Sequence, residues 1–157
     1  MTDVQKESGC LFYSPPDKLD EWMDAMMRPI CEEINRSGWV WTAESCQGHP
    51  DAQKSRAWAS NTRPMLRLVT KKENVGRMFA ALAEAYEIER RSTEESVEEH
   101  GNMSELMGFE VFPVSGRNPE WSEMLIYIGA KTAYQRDQGV SVWEVFSKIT
   151  TRGVTKG

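Results

Sequence analysis

The sequence predicts an α+β domain, a single sheet of about five strands with three helices packed mainly on one face. Long segments with apolar residues at helical spacing alternate with short runs rich in β-branched and aromatic residues. The 157-residue chain has 39% hydrophobic and 27% charged residues, which is typical of a soluble domain large enough to bury its own core. We therefore expect one domain over residues 14–151, with a flexible arm at 1–13 and a tail at 152–157.

The first helix is predicted to begin near Ser14. The sequence Ser14-Pro15-Pro16-Asp17 offers an N-cap serine, proline in the first turn and an acidic residue near the positive end of the helix dipole. Apolar residues then recur at helical spacing as far as Ile34, and Gly38 ends the pattern. Pro29 lies inside this stretch and should kink or divide the helix.

The remaining elements follow from similar patterns. The runs predicted to form strands are 39–42, 56–60, 65–70, 109–114 and 124–130. Thr70-Lys71-Lys72-Glu73 has capping-box spacing and predicts the start of a second helix, which ends near Arg90 or Arg91. The acidic segment 92–104 is predicted to be a solvated loop. A second capping box, Ser141-Val142-Trp143-Glu144, predicts where the last helix begins.

Charge and cysteine content exclude several classes of function. The formal net charge of −5 and the pI of about 5.2 disfavour binding of duplex nucleic acid, which needs a basic surface to neutralise phosphates. No apolar run is long enough to span a bilayer, so no membrane association is expected. Three cysteines, an odd number, favour a reducing environment, and a cytoplasmic location is expected.

A polar turn after the first predicted strand is the strongest candidate for a functional site. The stretch WTAESCQGHPDA, Trp41–Ala52, contains Ser45, Cys46, Gln47, Gly48 and His49. Ser45 and Gln47 offer neutral hydrogen bonds, and Gly48 permits a close approach or a positive φ. His49 can carry charge near neutral pH, and Cys46 is a candidate nucleophile if its thiolate is stabilised. The alternative is a purely structural turn. No further ligand completes the C-x-x-H spacing, so no metal is expected.

Polar residues from adjacent strands complete the predicted pocket. Asn61, Arg63 and Arg67 lie in or beside neighbouring strands, and Arg67 can hold a phosphate or a carboxylate bidentately. Arg67 can equally lie on a solvated face of the sheet. Trp39 and Trp41 lie two residues apart and are predicted to project to one side of their strand. On that side they either stack on a base or belong to the core.

The turn and the residues before it form a pattern of an Ile34-Asn35 pair, a strand containing Thr42, and Ser45-Cys46-x-Gly48. This pattern resembles the signature of the wybutosine-synthesising tRNA methyltransferase family. The resemblance implies S-adenosylmethionine as a cofactor and methyl transfer that depends on Asp17 or His49. The T-x-x-S-C-x-G-H pattern that begins at Thr42 is also similar to one in small bacterial and phage proteins.

Three functions from different classes remain open. The first is binding of a small nucleotide-like molecule, to sequester or sense a signalling nucleotide, without chemistry. The second is an S-adenosylmethionine-dependent methyltransferase. The third is a protein-interaction module that uses exposed side chains such as Trp22, Met26 and Met27. Binding is favoured because a complete set of acid, base and nucleophile cannot be assembled from the sequence. A homodimer that shares the site is an alternative arrangement.

Overall fold

The computed structural model describes residues 3–9, 25–46, 48, 63–92, 108–114, 118–129 and 133–154. Within these residues the chain forms one antiparallel sheet of four strands, and three helices of nine or more residues pack on one face of it. The predicted α+β class is confirmed. The fifth predicted strand, 56–60, lies outside the described residues, so the described sheet has four strands where about five were expected.

The chain passes twice through a strand–strand–helix unit. The strands are β1 (Val40–Cys46), β2 (Met65–Lys71), β3 (Gly108–Val114) and β4 (Trp121–Gly129), in the spatial order β1-β2-β4-β3. The helices are α1 (Asp3–Ser8), α2 (Arg28–Arg36), α3 (Val75–Ser92) and α4 (Ala133–Thr150). A 3-10 turn, Lys72–Asn74, leads from β2 into α3. The central strands are β2 and β4, and each leads into a long helix, α3 and α4 respectively.

The main core lies between one face of the sheet and the helices α2, α3 and α4. Alternate residues of the central strands, Leu66 and Leu68 in β2 and Ile126 and Ile128 in β4, are fully buried on that face. The helices contribute residues at the predicted three- and four-residue spacings, namely Ile30, Cys31, Ile34, Met78, Ala81, Leu82, Ala85, Val142, Trp143 and Phe146. Burial of these apolar side chains is the main driving force for the fold.

Pro29 marks the start of α2. It lies in the first turn of the helix, where a missing backbone N–H removes no helical hydrogen bond. Gly38 follows the helix with a φ of 79°, so it ends α2 as predicted. Residues 14–24, where the sequence predicts the beginning of this helix, lie outside the described residues.

Both capping-box predictions are wrong. Thr70 belongs to β2, and its Oγ1 donates a hydrogen bond to the carbonyl oxygen of Trp39 at 2.6 Å. The helix that follows therefore begins later, at Val75, and ends at Ser92. Ser141 lies in the interior of α4, because that helix begins at Ala133. In both cases tertiary contacts outweigh a local capping pattern.

Gly139 allows α4 to approach the sheet closely. A Cβ atom at this position would lie 2.6 Å from the carbonyl oxygen of Ile128 and 2.9 Å from Cγ of Pro64. The N–H of Ile128 donates to the carbonyl oxygen of Pro64 at 3.0 Å, so the backbone at this point is already tied down. A larger residue would have to push α4 away from β4.

Replacing Gly139 with alanine is expected to lower the free energy of unfolding by roughly 1–3 kcal/mol, because the added Cβ overpacks this contact. Gly76→Ala is the matched control, since Gly76 lies in α3 and an added Cβ would meet nothing within 4 Å. That control should be stabilised by up to about 1 kcal/mol, the usual gain from alanine in a helix. Urea-induced unfolding measures both changes. Wild-type stability of Gly139→Ala would contradict the close approach.

Candidate functional site

The structure divides the predicted site residues between the two sides of the sheet. Ser45 pairs with Leu66, whose side chain faces the helices, whereas Cys46 pairs with Met65. Residues on the same side as Cys46 and Met65 define the second face, which lies opposite α2, α3 and α4. Trp41 and Arg67 also lie on the second face. The other predicted site residues, Asp17, Gln47, His49 and Asn61, lie outside the described residues.

A β-bulge at Ala43 causes this division. The register of β1 against β2 shifts between Thr42 and Glu44, so Ala43 has no partner across the ladder. Trp41 and Ala43 therefore pack together on the second face, while Thr42 and Ser45 face the helices. Strict alternation would have reversed the sides of Ser45 and Cys46.

On the helix side, Ser45 joins a polar cluster with Cys31. The N–H and Oγ1 of Thr42 donate to Oδ1 of Asn35 at 2.8 and 3.1 Å. Cys31 is fully buried, and burial raises the pKa of its thiol to about 12, although the neighbouring Thr42 and Ser45 hydroxyls act in the opposite direction. Cys31 is therefore a protonated, inert core residue.

The turn after β1 is held by α4. Gly48 has a φ of 84°, as predicted, and its N–H donates to Sγ of Cys46 at 3.4 Å. Nη1 of Arg136 donates to the carbonyl oxygen of Gly48 at 2.9 Å, and its Nε lies 2.7 Å from Asp137. Sequence reasoning missed Arg136 because it placed the start of α4 at Ser141. No local pattern links Arg136 to the turn.

The second face combines charged and aromatic side chains in three rows across the four strands. The rows are Trp41–Val69–Glu123–Val114, Glu44–Arg67–Leu125–Phe112 and Cys46–Met65–Tyr127–Glu110. Phe112 and Tyr127 form an edge-to-face pair with ring centroids 5.7 Å apart. Phe112 is 48% exposed, which makes it the most exposed large hydrophobic side chain of the described residues.

Arg67 lies at the centre of the second face and is only partly paired. Its Nε lies 3.1 Å from Glu123, while Nη1 is 3.9 Å from Glu44, which is beyond hydrogen-bonding distance. Arg63 differs, because both of its terminal nitrogens contact Glu110, at 3.0 and 3.1 Å. Arg63 also lies over the ring of Tyr127, 5.0 Å from its centroid, and it lowers the pKa of Glu110.

A tryptophan corner, formed by Trp41, Trp121 and Lys71, lies at one end of the second face. The two ring centroids are 5.7 Å apart, and Nζ of Lys71 lies 5.7 Å from the centroid of Trp121. Helix α1, inside the segment predicted to be an arm, is anchored here. Oε1 of Glu7 lies 3.6 Å from Lys71, and the Glu7 carbonyl oxygen accepts from Asn118 at 2.8 Å.

Trp39 and Trp41 do not share a side. Trp39 precedes β1 and belongs to the main core, where its Nε1 donates to the carbonyl oxygen of Thr150 at 2.8 Å. Arg77 lies over its ring, 4.0 Å from the centroid. The prediction of a common side is wrong, because alternation applies only within the strand that begins at Val40.

A cleft of about 460 Å³ lies between α2 and α4, on the outside of the helical layer. Its lining residues are Met26, Pro29, Ile30, Glu33, Arg36, Glu144, Ser147 and Lys148. Met27 is fully buried and Met26 half-buried, so Met27 does not contribute to the exposed surface that an interaction module would use. Trp22 lies outside the described residues.

Comparison with family models, with curated proteins and with solved structures gives no match for the chain. The resemblance to the wybutosine-synthesising family stays a prediction. Among the described residues, no helix is long and apolar enough to cross a membrane. Within the same residues, no three histidine, cysteine or acidic side chains group closely enough to hold a metal ion.

We expect the burial of Cys31 to make stability fall as the pH rises from about 9 towards 12. The unfolded chain loses the thiol proton near its ordinary pKa of 9.0, whereas the folded chain keeps it until about 12. Cys31→Ala should therefore lose less stability than wild type over this range, as measured by urea unfolding at several pH values. Cys46→Ala, which retains Cys31, is the control. Parallel pH profiles for wild type and Cys31→Ala would contradict the buried thiol.

Proposed function

We propose that the protein binds a small nucleotide-like ligand on the second face of the sheet, beside the turn formed by Cys46 and Gly48. The observation that carries this proposal is the position of Arg67, a partly paired guanidinium at the centre of a face rich in aromatic side chains. A planar base and an anionic group can both be bound by such a surface.

Arg67 has the capacity to hold the anionic group. Among the described residues, no carboxylate lies within hydrogen-bonding distance of its terminal nitrogens, so these can donate hydrogen bonds to a phosphate or a carboxylate. Its side chain is 28% exposed, so a ligand on the second face can reach it. The neighbouring Glu123 forms an ion pair with Nε, which has no hydrogen bond of good geometry within the described residues.

Aromatic rings flank Arg67 on both sides. Trp41 lies in the adjacent row towards one end of the second face and Tyr127 in the adjacent row towards the other, while Phe112 lies in the row of Arg67, two strands away. Rings of this kind stack on nucleobases with little preference among bases. The flanking rings support a nucleotide-like ligand over a purely anionic one.

The charge balance of the second face favours a small ligand over duplex nucleic acid. Each of its cations, Arg63, Arg67 and Lys71, has a carboxylate within 4.0 Å. A duplex is bound mainly by many unneutralised cations along its phosphates. A single phosphate or carboxylate needs only one guanidinium edge, and Arg67 supplies it.

Sequestering or sensing, without chemistry, fits the described residues of the site. Cys31 is protonated and buried, so its thiol is not available as a nucleophile. We propose a signalling nucleotide as the ligand class. A methyltransferase of the wybutosine-synthesising kind remains the alternative, and it requires binding of S-adenosylmethionine.

A thermal-shift screen separates these functions. The panel contains AMP, GMP, ADP-ribose, NAD, cyclic dinucleotides, S-adenosylmethionine and S-adenosylhomocysteine. A ligand present at 100 times its Kd adds about 2.7 kcal/mol of stability, which raises Tm by roughly 5–10 °C for a chain of this length. A shift with nucleotides and no product on incubation supports the binder. A shift with S-adenosylmethionine alone supports the transferase, and no shift at all contradicts both.

Arg67→Lys is expected to weaken the binding of the nucleotide that gives the largest shift by about tenfold, because lysine keeps the charge but lacks the planar edge. Isothermal titration measures this Kd directly and separates it from any change in stability. Arg152→Lys is the matched control, because Arg152 pairs with Glu84 and is not part of the second face. An unchanged Kd for Arg67→Lys would rule out its contact with the ligand.

A further inference from the structure

Trp121 carries a buried hydrogen-bond donor that the fold does not use. Its side chain is 3% exposed, and its Nε1 has no hydrogen-bond partner in the part of the chain that the structure describes. Such a donor is destabilising unless a protein group, a water molecule or a ligand accepts its proton. Nε1 of Trp143 is also buried without a partner among these residues, but it lies in the main core beside Phe146.

The surroundings of Trp121 differ from those of Trp143. Trp121 belongs to the tryptophan corner, with the ring of Trp41 inclined at 51° to it and Lys71 over its own ring. Trp41 is half-buried. The tryptophan corner therefore combines an aromatic surface, a cation and an unused donor.

We infer that the tryptophan corner binds the heterocycle of the ligand, and that an acceptor on the edge of the heterocycle pairs with Nε1 of Trp121. This inference rests on the proposed function and specifies the chemical class of its ligand. The ligand has a flat ring that stacks on Trp41, with a ring nitrogen or a carbonyl oxygen at its edge. Nucleobases have such edges.

The distance to Arg67 fits a ligand that joins a base to a phosphate. Val69 pairs with Trp41, and Arg67 lies two residues before Val69 on β2. At the usual rise of a strand, the two rows are about 7 Å apart. A nucleotide with its base at Trp41 can therefore place a phosphate at Arg67.

Helix α1 contacts the tryptophan corner through Glu7, which forms an ion pair with Lys71. This ion pair is weak, because both side chains are about half-exposed and lie 3.6 Å apart. Glu7→Gln should remove this ion pair, release Lys71 and tighten nucleotide binding several-fold.

The test follows the indole N–H signals of full-length, ¹⁵N-labelled protein during titration with AMP and with each nucleotide of the panel. The Trp121 signal, assigned through Trp121→Phe, is expected to move downfield on binding, and the Trp143 signal is expected to stay in place. Trp121→Phe should weaken binding about tenfold, while Trp143→Phe leaves the Kd unchanged. If Trp121→Phe does not fold, the indole signal of Trp121 is assigned through its connection to the backbone signals. The wild-type titration then still shows whether the Trp121 signal moves on binding.

The outcomes separate this inference from the proposed function. Binding of a nucleotide without movement of the Trp121 signal, or an unchanged Kd for Trp121→Phe, would overturn the inference and leave the proposed function standing. An unchanged Kd for Glu7→Gln would overturn the contribution of Lys71 to the site. If no nucleotide binds wild type, the proposed function and the inference both fail.

Discussion

The close approach of α4 to the sheet at Gly139 determines where both ends of that helix lie. A residue with a Cβ would meet the Ile128 carbonyl oxygen at 2.6 Å, so only glycine permits this spacing. Arg136, about one turn earlier, reaches the carbonyl oxygen of Gly48, and Thr150, three turns later, accepts the indole hydrogen bond of Trp39. Since Trp39 precedes β1 and Gly48 follows it, one helix fixes both ends of an edge strand.

The bulge at Ala43 then decides which side chains meet on each face. It turns Ser45 towards Cys31 and the helices, and it leaves Cys46 on the same face as Trp41 and Arg67. Two neighbouring polar residues, Ser45 and Cys46, therefore lie on opposite sides of the sheet. The second face is assembled from residues on several strands, so its composition depends on register more than on any local motif.

Periodicity predicted most of the described fold, and it failed where tertiary contacts override local preference. The α+β class, four strand positions and the apolar stripes of the helices follow from alternation and from helical spacing. The start of α4 could not be predicted, because Gly139 weakens the helical pattern although packing requires it. The bulge and the contact of Arg136 with the turn have no local signal, so only part of the candidate site could be predicted, notably Arg67 and Trp41.

The second face is a better candidate for ligand binding than the cleft between α2 and α4. In the cleft, charged groups pair within the protein, as Lys148 does with Glu144 and Glu33 does with Thr151. On the second face, Arg67 keeps a loosely paired guanidinium edge, and among the described residues Nε1 of Trp121 meets no acceptor. Unused donors are costly where water is excluded. The position of Arg67 and Trp121 on the second face, beside aromatic rings, is explained if that face binds a ligand that accepts their hydrogen bonds.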